Sequence, residues 1–136
     1  MTVNLADAKV LIAGAEATAT AMDRCVSIVV ADSRARVVML MRMDGAPWFT
    51  TGIATAKART CVDMSADSGS LAGLQADLPG VWALADSQVA YPLTCLGGGV
   101  VIHDADGAVI GAIAVSGATE EEDVAIAHGG VATWRS

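Results

Sequence analysis

Three charged residues are placed where they could carry out acid–base chemistry: Arg42, Asp44 and Lys57. Arg42 ends a predicted strand, Asp44 begins the next turn, and Lys57 lies about two turns into the next predicted helix. An arginine can bind a carboxylate through two hydrogen bonds, and desolvation on an apolar helix face lowers the pKa of a lysine. The three residues could therefore bind a small carboxylate and transfer a proton, with Asp44 orienting the cations. A structural ion-pair cluster is the alternative.

Three consecutive glycines, Gly97, Gly98 and Gly99, are a second candidate. They precede a predicted strand and lack a following Gly-Lys-Ser/Thr sequence, which excludes a nucleotide-binding loop. They could form a bulge, or their backbone amides could line a pocket for an anion or a carbonyl group. Trp48 and Tyr91 lie in predicted loops. They could wall a pocket for a flat ligand, or serve packing and subunit contact.

The composition limits the classes of partner. The chain has 136 residues, which suits one domain spanning residues 1–136. Its net charge of −7 argues against nucleic acid and against an anionic membrane surface. Apolar residues make up 54% of so small a chain, which leaves apolar surface and favours a homo-oligomer, a dimer or larger.

The cysteines and the hydropathy bear on location. Cys25, Cys61 and Cys95 are far apart and form no Cys-x-x-Cys motif, so we expect no metal site and interpret them as buried apolar residues. Such cysteines are typical of a reducing compartment. No segment approaches the roughly 20 apolar residues of a membrane span. The cytoplasm is therefore the expected location.

The elements that must position these residues follow from local patterns. Helical spacing predicts a first helix from Asn4 to Met22, and further helices over 52–62 and from residue 67 or 68 to the Pro79-Gly80 stop. Alternation predicts two hairpins, one over 25–43 and one over 100–115. Thr119 and Glu122 form a capping-box pattern that begins a last helix. Clustered hairpins between helices indicate an α+β sandwich with an antiparallel sheet.

Two segments in this order resemble one family. The first joins Arg-Met-Asp-Gly-Ala at 42–46 to Ala-Lys-Ala-Arg-Thr at 56–60. The second joins the three glycines at 97–99, a strand and an Asp-Gly hairpin to Ile-Gly-Ala-Ile-Ala-Val-Ser-Gly at 110–117. Together with the alanine-rich first helix they resemble the GlcG/HbpS-like family, or haem-degrading domains, which includes the C-terminal domain of PduO-type corrinoid proteins.

The resemblance implies a profilin-like α+β sandwich with an antiparallel sheet of about five strands flanked by helices. It also implies dimers or larger assemblies, and haem as a cofactor of some members, held by a histidine. Here the first helix has no histidine. His103 lies at a predicted hairpin turn, where we expect exposure, and His128 lies in the last helix, where its spacing from Val124 and Val131 could turn it toward the sheet.

Two functional hypotheses remain open, beside a purely structural assembly subunit. The first is a cofactor-free enzyme, an isomerase, tautomerase or hydratase that acts on a small carboxylate or carbonyl compound. In it Lys57 transfers the proton, Arg42 and the Gly97–Gly99 amides bind the anion, and Asp44 orients the cations. The second is an oligomeric module that binds haem for storage or degradation, with His128 as the iron ligand across a subunit interface.

Overall fold

The computed structural model describes all residues from Met1 to Ser136. It contains five α-helices, a short 3₁₀ turn and four strands. In chain order they are α1 (Leu5–Ala21), β1 (Ser27–Asp32), β2 (Val37–Arg42), α2 (Thr50–Met64), the 3₁₀ turn (Ser68–Leu71), α3 (Ala72–Asp77), α4 (Pro79–Ser87), β3 (Gly99–His103), β4 (Val109–Ser116) and α5 (Glu120–Arg135). No helix has the length and hydropathy that crossing a bilayer requires.

The four strands form one antiparallel sheet in the order β2-β1-β4-β3. This confirms the predicted α+β class, although the sheet has four strands where about five were expected. The segment of residues 88–98 adds no strand, because it runs as an irregular connection from α4 to β3. The two hairpins therefore supply the whole sheet, with β1 and β4 in the centre.

Side chains of the central strands alternate between two apolar layers. Ile28 and Val30 of β1 join the larger cluster under α1 and α5, whereas Val29 and Ala31 join the cluster under α2. In β4 the fully buried residues facing α2 are Ala112 and Ala114, while Ile113 and Val115 face the other layer. Because strand side chains alternate with period two, each face of the sheet receives its own set. The small residues under α2 let that helix lie close to the sheet.

Two helices at opposite ends of the chain pack by a reciprocal arrangement of glycine and threonine. A Cβ atom placed on Gly14 of α1 would lie 2.4 Å from Thr133 Oγ1, and one on Gly129 of α5 would lie 2.1 Å from Thr18 Oγ1. Each threonine hydroxyl donates to the glycine carbonyl oxygen four residues earlier in its own helix, at 2.9 Å in both cases. Each threonine side chain therefore packs directly on a glycine of the other helix, where a second side chain would not fit.

The helix ends confirm some local predictions and correct others. Asn4 caps α1 and Thr119 caps α5, each in a complete capping box. Thr50 and Thr51, which are of the capping type and precede the helix predicted over 52–62, do not cap α2, because the helix begins at Thr50 and Phe49 occupies the cap position without a side-chain bond. The helix before Pro79 ends at Asp77, as the sequence predicts. Pro79 also begins α4 as its first residue, where the missing amide hydrogen costs nothing.

Candidate functional site

Lys57 is buried between α2 and the sheet rather than exposed in a cleft. It lies on the face of α2 that packs on the sheet and is 2% exposed. Its ammonium group donates to the main-chain oxygen of Val115 at 2.8 Å and to Asp123 Oδ2 at 3.3 Å. One side chain therefore ties α2 to the end of β4 and to the first turn of α5.

The pair formed by Lys57 and Asp123 balances burial against attraction. Burial lowers the pKa of Lys57 and raises the pKa of Asp123, while the opposite charge of the partner counteracts each shift. Asp123 also accepts the amide hydrogen of Ala118 at 3.0 Å. Each charge depends on the other for compensation, since a lone buried charge would cost several kcal/mol. This is the arrangement of a structural ion pair.

Gly98 lies directly against this pair. The structure thus places Lys57 beside one of the three glycines with which the enzyme hypothesis combines it. Its φ is +129°, and a Cβ atom there would lie 2.5 Å from the Val115 oxygen and 2.7 Å from Lys57 Nζ. A glycine is therefore needed both for the backbone conformation and for the close approach of the lysine.

The amides on either side of Gly98 already hold groups of the same chain. The Gly97 amide donates to Glu120 Oε1 at 2.6 Å, and the Gly99 amide donates to Ser68 Oγ at 3.0 Å. The Gly97 amide does meet an anion, as the pocket hypothesis required of these amides, but that anion is a side chain of α5. These two amides serve to seat β3 against its neighbours.

Arg42 and Asp44 do not join Lys57. Both are exposed, at the end of β2 and in the turn that follows it. Arg42 Nη1 donates to the Ala46 main-chain oxygen at 3.3 Å, and neither residue is an ion-pair or hydrogen-bond partner of Lys57. The predicted constellation is divided, and Asp123 takes the place expected for Asp44.

Lys57 lines none of the cavities of the protein. A proton-transfer group must come within hydrogen-bond reach of its substrate, directly or through one water molecule. The geometry around Lys57 therefore lends no support to isomerase, tautomerase or hydratase chemistry there.

Both histidines of the chain line one cavity, which we call the histidine groove. Its volume is about 490 Å³, and it lies between the edge strand β3, the C-terminal half of α5 and the segment after α2. His103 is the last residue of β3 and half-buried. His128 is exposed on α5, which corrects the expectation that it faces the sheet. The groove thus brings together two imidazoles from separate elements.

The remaining groove residues divide into apolar and polar groups. Val100, Val101 and Val131 supply apolar surface, and Arg135 adds a guanidinium group. Arg135 Nη2 donates to the His103 main-chain oxygen at 3.2 Å, which ties the end of α5 to β3. Asp67 forms part of the opposite wall, where its Oδ1 accepts the Val101 amide hydrogen at 2.9 Å. That bond covers the free edge of β3, so the wall is fixed to the sheet.

The chemistry of this donor set fits a haem group. Imidazole is a common axial ligand of haem iron, valine side chains suit the porphyrin faces, and a guanidinium group can pair with a propionate. The chain has no group of three His, Cys, Asp or Glu side chains arranged to hold a free metal ion. Haem requires only one or two protein ligands, because the porphyrin nitrogens supply four.

Sequence reasoning considered the two histidines separately and did not place them together. The signal that could have joined them is topological. The last helix follows directly on the last hairpin, so it packs back across that hairpin and meets its edge strand.

Trp48 and Tyr91 lie away from the histidine groove. Trp48 is 80% exposed, stacks edge-on against Phe49 with ring centroids 5.7 Å apart, and lines no cavity. Tyr91 lines a different cavity, where the Arg59 guanidinium carbon lies 4.9 Å from the centre of its ring.

The cysteines are all free, and only Cys61 is fully buried. Burial raises its pKa to about 12, so its thiol stays protonated at neutral pH. Cys25 is exposed and Cys95 is partly buried, which corrects the expectation that all three are core residues.

Comparisons with protein families and with solved structures point to the same family. A family model described as haem-degrading protein HbpS-like matches residues 3–132. A double mutant of HbpS from Streptomyces reticuli is 28% identical, with 97% of this chain and 86% of that chain covered and a TM-score of 0.86. A PduOC–haem complex is 25% identical, with 98% and 95% covered and a TM-score of 0.86. The Klebsiella pneumoniae protein ORFY is 25% identical, with 100% and 92% covered and a TM-score of 0.85. Among curated proteins, none matches this chain significantly.

Proposed function

The chain belongs to the HbpS-like family of haem-degrading proteins, and we propose on that basis that it binds haem in the histidine groove. The observation that carries the proposal is the convergence of His103 and His128 on one cavity. A structural neighbour that is a haem complex, the PduOC domain, supports the same cofactor. Binding is therefore preferred over the proton-transfer hypothesis, for which the surroundings of Lys57 offer no cavity.

His128 and His103 are the residues that would hold the iron. A neutral imidazole carries one unprotonated ring nitrogen that can act as a ligand, and both rings reach the groove from elements fixed by the fold. Bound haem would supply an iron centre that an imidazole can ligate.

Arg135 and the valines would orient the group. The Arg135 side chain lies at the end of the groove formed by α5 and β3, where its charge favours a carboxylate. Val100, Val101 and Val131 exclude water from the part of the groove that they line. The polarity of the groove thus suits a molecule with an apolar ring and acidic substituents.

Self-association and location extend the proposal. Exposed apolar side chains such as Trp48 and Leu84 support the predicted homo-oligomer. The three free cysteines agree with the predicted cytoplasmic location. The size of the assembly and the compartment stay predictions.

The test is a titration of the purified protein with hemin, followed at the Soret band. We expect a saturable change with one haem per chain or per dimer. His128→Ala should weaken binding at least about tenfold and shift the band, since loss of an axial ligand changes both affinity and spectrum. Arg24→Ala, which removes an exposed cation outside the groove, is the matched control and should leave the titration unchanged.

A second variant separates the two imidazoles. If His103→Ala changes the spectrum and His128→Ala does not, the ligand is His103 and the assignment of His128 is wrong. A response that never saturates, or a His103→Ala/His128→Ala double variant that binds as the wild type does, would remove haem from the groove.

A further inference from the structure

A second cavity, which shares no residue with the histidine groove, is lined by three arginines. We call it the arginine cavity. It has a volume of about 240 Å³ and is lined by Arg34, Arg36, Arg59, Asp63 and Tyr91, together with two alanines. The chain has only eight lysines and arginines against fifteen acidic residues, so three cations at one small cavity oppose the overall charge of the protein.

None of these arginines forms an ion pair. The two ion pairs of the structure involve Arg24 and Lys57. No side-chain nitrogen of Arg34, Arg36 or Arg59 takes part in a hydrogen bond or an ion pair. In a protein rich in carboxylates, three neighbouring guanidinium groups without a partner create a local positive potential that attracts an anion.

The fold holds two of the three arginines in place through the β1–β2 turn. Asp32 Oδ1 accepts the amide hydrogens of Arg34 at 2.9 Å and of Arg36 at 3.1 Å. Ala35 between them has a φ of +60° and is 6% exposed, packed in the cluster under α2. The turn is thereby fixed onto α2, so that its two arginines line the same cavity as Arg59.

Arg59 carries the most specific indication of a missing ligand. Its Nε atom is buried and has no hydrogen-bond partner. The guanidinium group lies over the Tyr91 ring, and the Tyr91 hydroxyl donates to the Asp63 carboxylate. Buried donors in proteins are nearly always paired, so an unpaired guanidinium nitrogen beside a cavity calls for an acceptor. An oxyanion provides one in the geometry that arginine favours.

We propose that the arginine cavity binds a small oxyanion, the phosphate or carboxylate group of a metabolite, independently of haem. A volume of 240 Å³ lies below the range of about 300–1,000 Å³ that is usual for drug-sized ligands, so it suits one anionic group and a short extension. Arg34, Arg36 and Arg59 supply the charge. Asp63 at the rim reduces the net positive charge and moderates the affinity.

Isothermal titration calorimetry with inorganic phosphate, and separately with citrate, tests the proposal and distinguishes the two anion classes. We expect saturable binding of at least one of them. Arg34→Ala/Arg36→Ala should weaken it at least about tenfold, because each charged hydrogen bond lost carries roughly that factor. Asp63→Asn should strengthen binding several-fold, since a negative charge leaves the rim. Arg24→Ala removes the same charge elsewhere and should have no effect.

Arg59→Lys keeps the charge at the cavity and removes the planar set of guanidinium donors. A loss of affinity in this variant, with circular dichroism unchanged, would assign the donor role to Arg59. Absence of saturable heat with both anions would overturn the proposal, and so would an equal loss in the Arg24→Ala control. Neither result depends on hemin binding, so this site and the histidine groove succeed or fail separately.

Discussion

Lys57 and Asp123 form an ion pair of 3.3 Å in which each side chain is 3% exposed. The two residues belong to different helices on opposite faces of the sheet, and they meet at the end of β4 beside Gly98. The pair thus lies past the end of a central strand, where it joins α2 on one face of the sheet to α5 on the other. Its value is in fixing these elements to one another.

The stability lost when both partners are removed should be smaller than the sum of the losses when each is removed alone. Lys57→Met leaves the Asp123 carboxylate buried without its cation, and we expect a loss of about 3–5 kcal/mol in the free energy of unfolding. Lys57→Met/Asp123→Leu removes both charges, so its loss should be well below the sum of the single variants. Urea denaturation of the four proteins measures this coupling. Additive losses would show that the two charges do not compensate each other.

Gly98→Ala should destabilise the protein by about 3 kcal/mol. The added Cβ atom meets the Val115 oxygen and Lys57 Nζ, and the backbone lies in the left-handed region, so overlap and strain act together. Gly107→Ala is the matched control, because Gly107 has a φ of +85° and nothing within 4 Å. This variant should lose about 1 kcal/mol of stability, because only the backbone strain is added. Equal shifts in thermal midpoint would mean that the lysine contact is unimportant.

The glycine contacts between α1 and α5 should be intolerant of a methyl group. Gly14→Ala and Gly129→Ala force the helices apart against Thr133 and Thr18, and each should cost about 1–3 kcal/mol. Gly52→Ala in α2 meets no atom within 4 Å and should stabilise the protein by about 0.5–1 kcal/mol. Chemical denaturation gives all three values. A gain of stability at Gly14 or Gly129 would contradict the close packing of these helices.

The stability of the folded protein should fall in acid, and protonation of Glu122 should account for part of that fall. The backbone amide of Thr119 donates to this carboxylate and lowers its pKa below 4.5, with Arg24 contributing. A lowered pKa in the folded state contributes stability above the ordinary carboxyl pKa, and that contribution is lost as the pH falls through the lowered value. The difference in thermal midpoint between wild type and Glu122→Gln should therefore be present near neutral pH and vanish in acid.

The control for acid sensitivity is the neighbouring Glu121, which is exposed and makes no side-chain hydrogen bond. Glu121→Gln should show no comparable change across the same pH range. If the two variants respond alike, the acid sensitivity arises from general charge and not from the capping box.

Local signals in the sequence predicted the helix ends that local chemistry decides. Asn4, where the first helix was predicted to begin, and Thr119, predicted to form a capping box, each cap a helix together with the side chain three residues later. The hairpins and the α+β class also followed from short-range alternation. The strand count did not, because it depends on whether residues 88–98 pair with a sheet edge, and such pairing is set by tertiary contacts.

The site was harder to predict because its contacts span the chain. Lys57 was singled out, but its partner lies 66 positions away. Asp123 lies in the acidic first turn of α5, and no local pattern shows that its carboxylate turns toward Lys57. His103 and His128 likewise share a groove only because α5 packs across β3. Arg34, Arg36 and Arg59 were not considered together for the same reason.

The packing of α1 on α5 also sets the order of events when the chain folds. Asp7 accepts a hydrogen bond from the Trp134 ring at 3.1 Å, across 127 positions of sequence. Contacts of this kind require closure of nearly the whole chain, whose entropic cost comes before any burial is gained. We therefore expect the apolar face of α1 to meet α5 late in folding. We expect long-range closure, and not helix formation, to limit the folding rate.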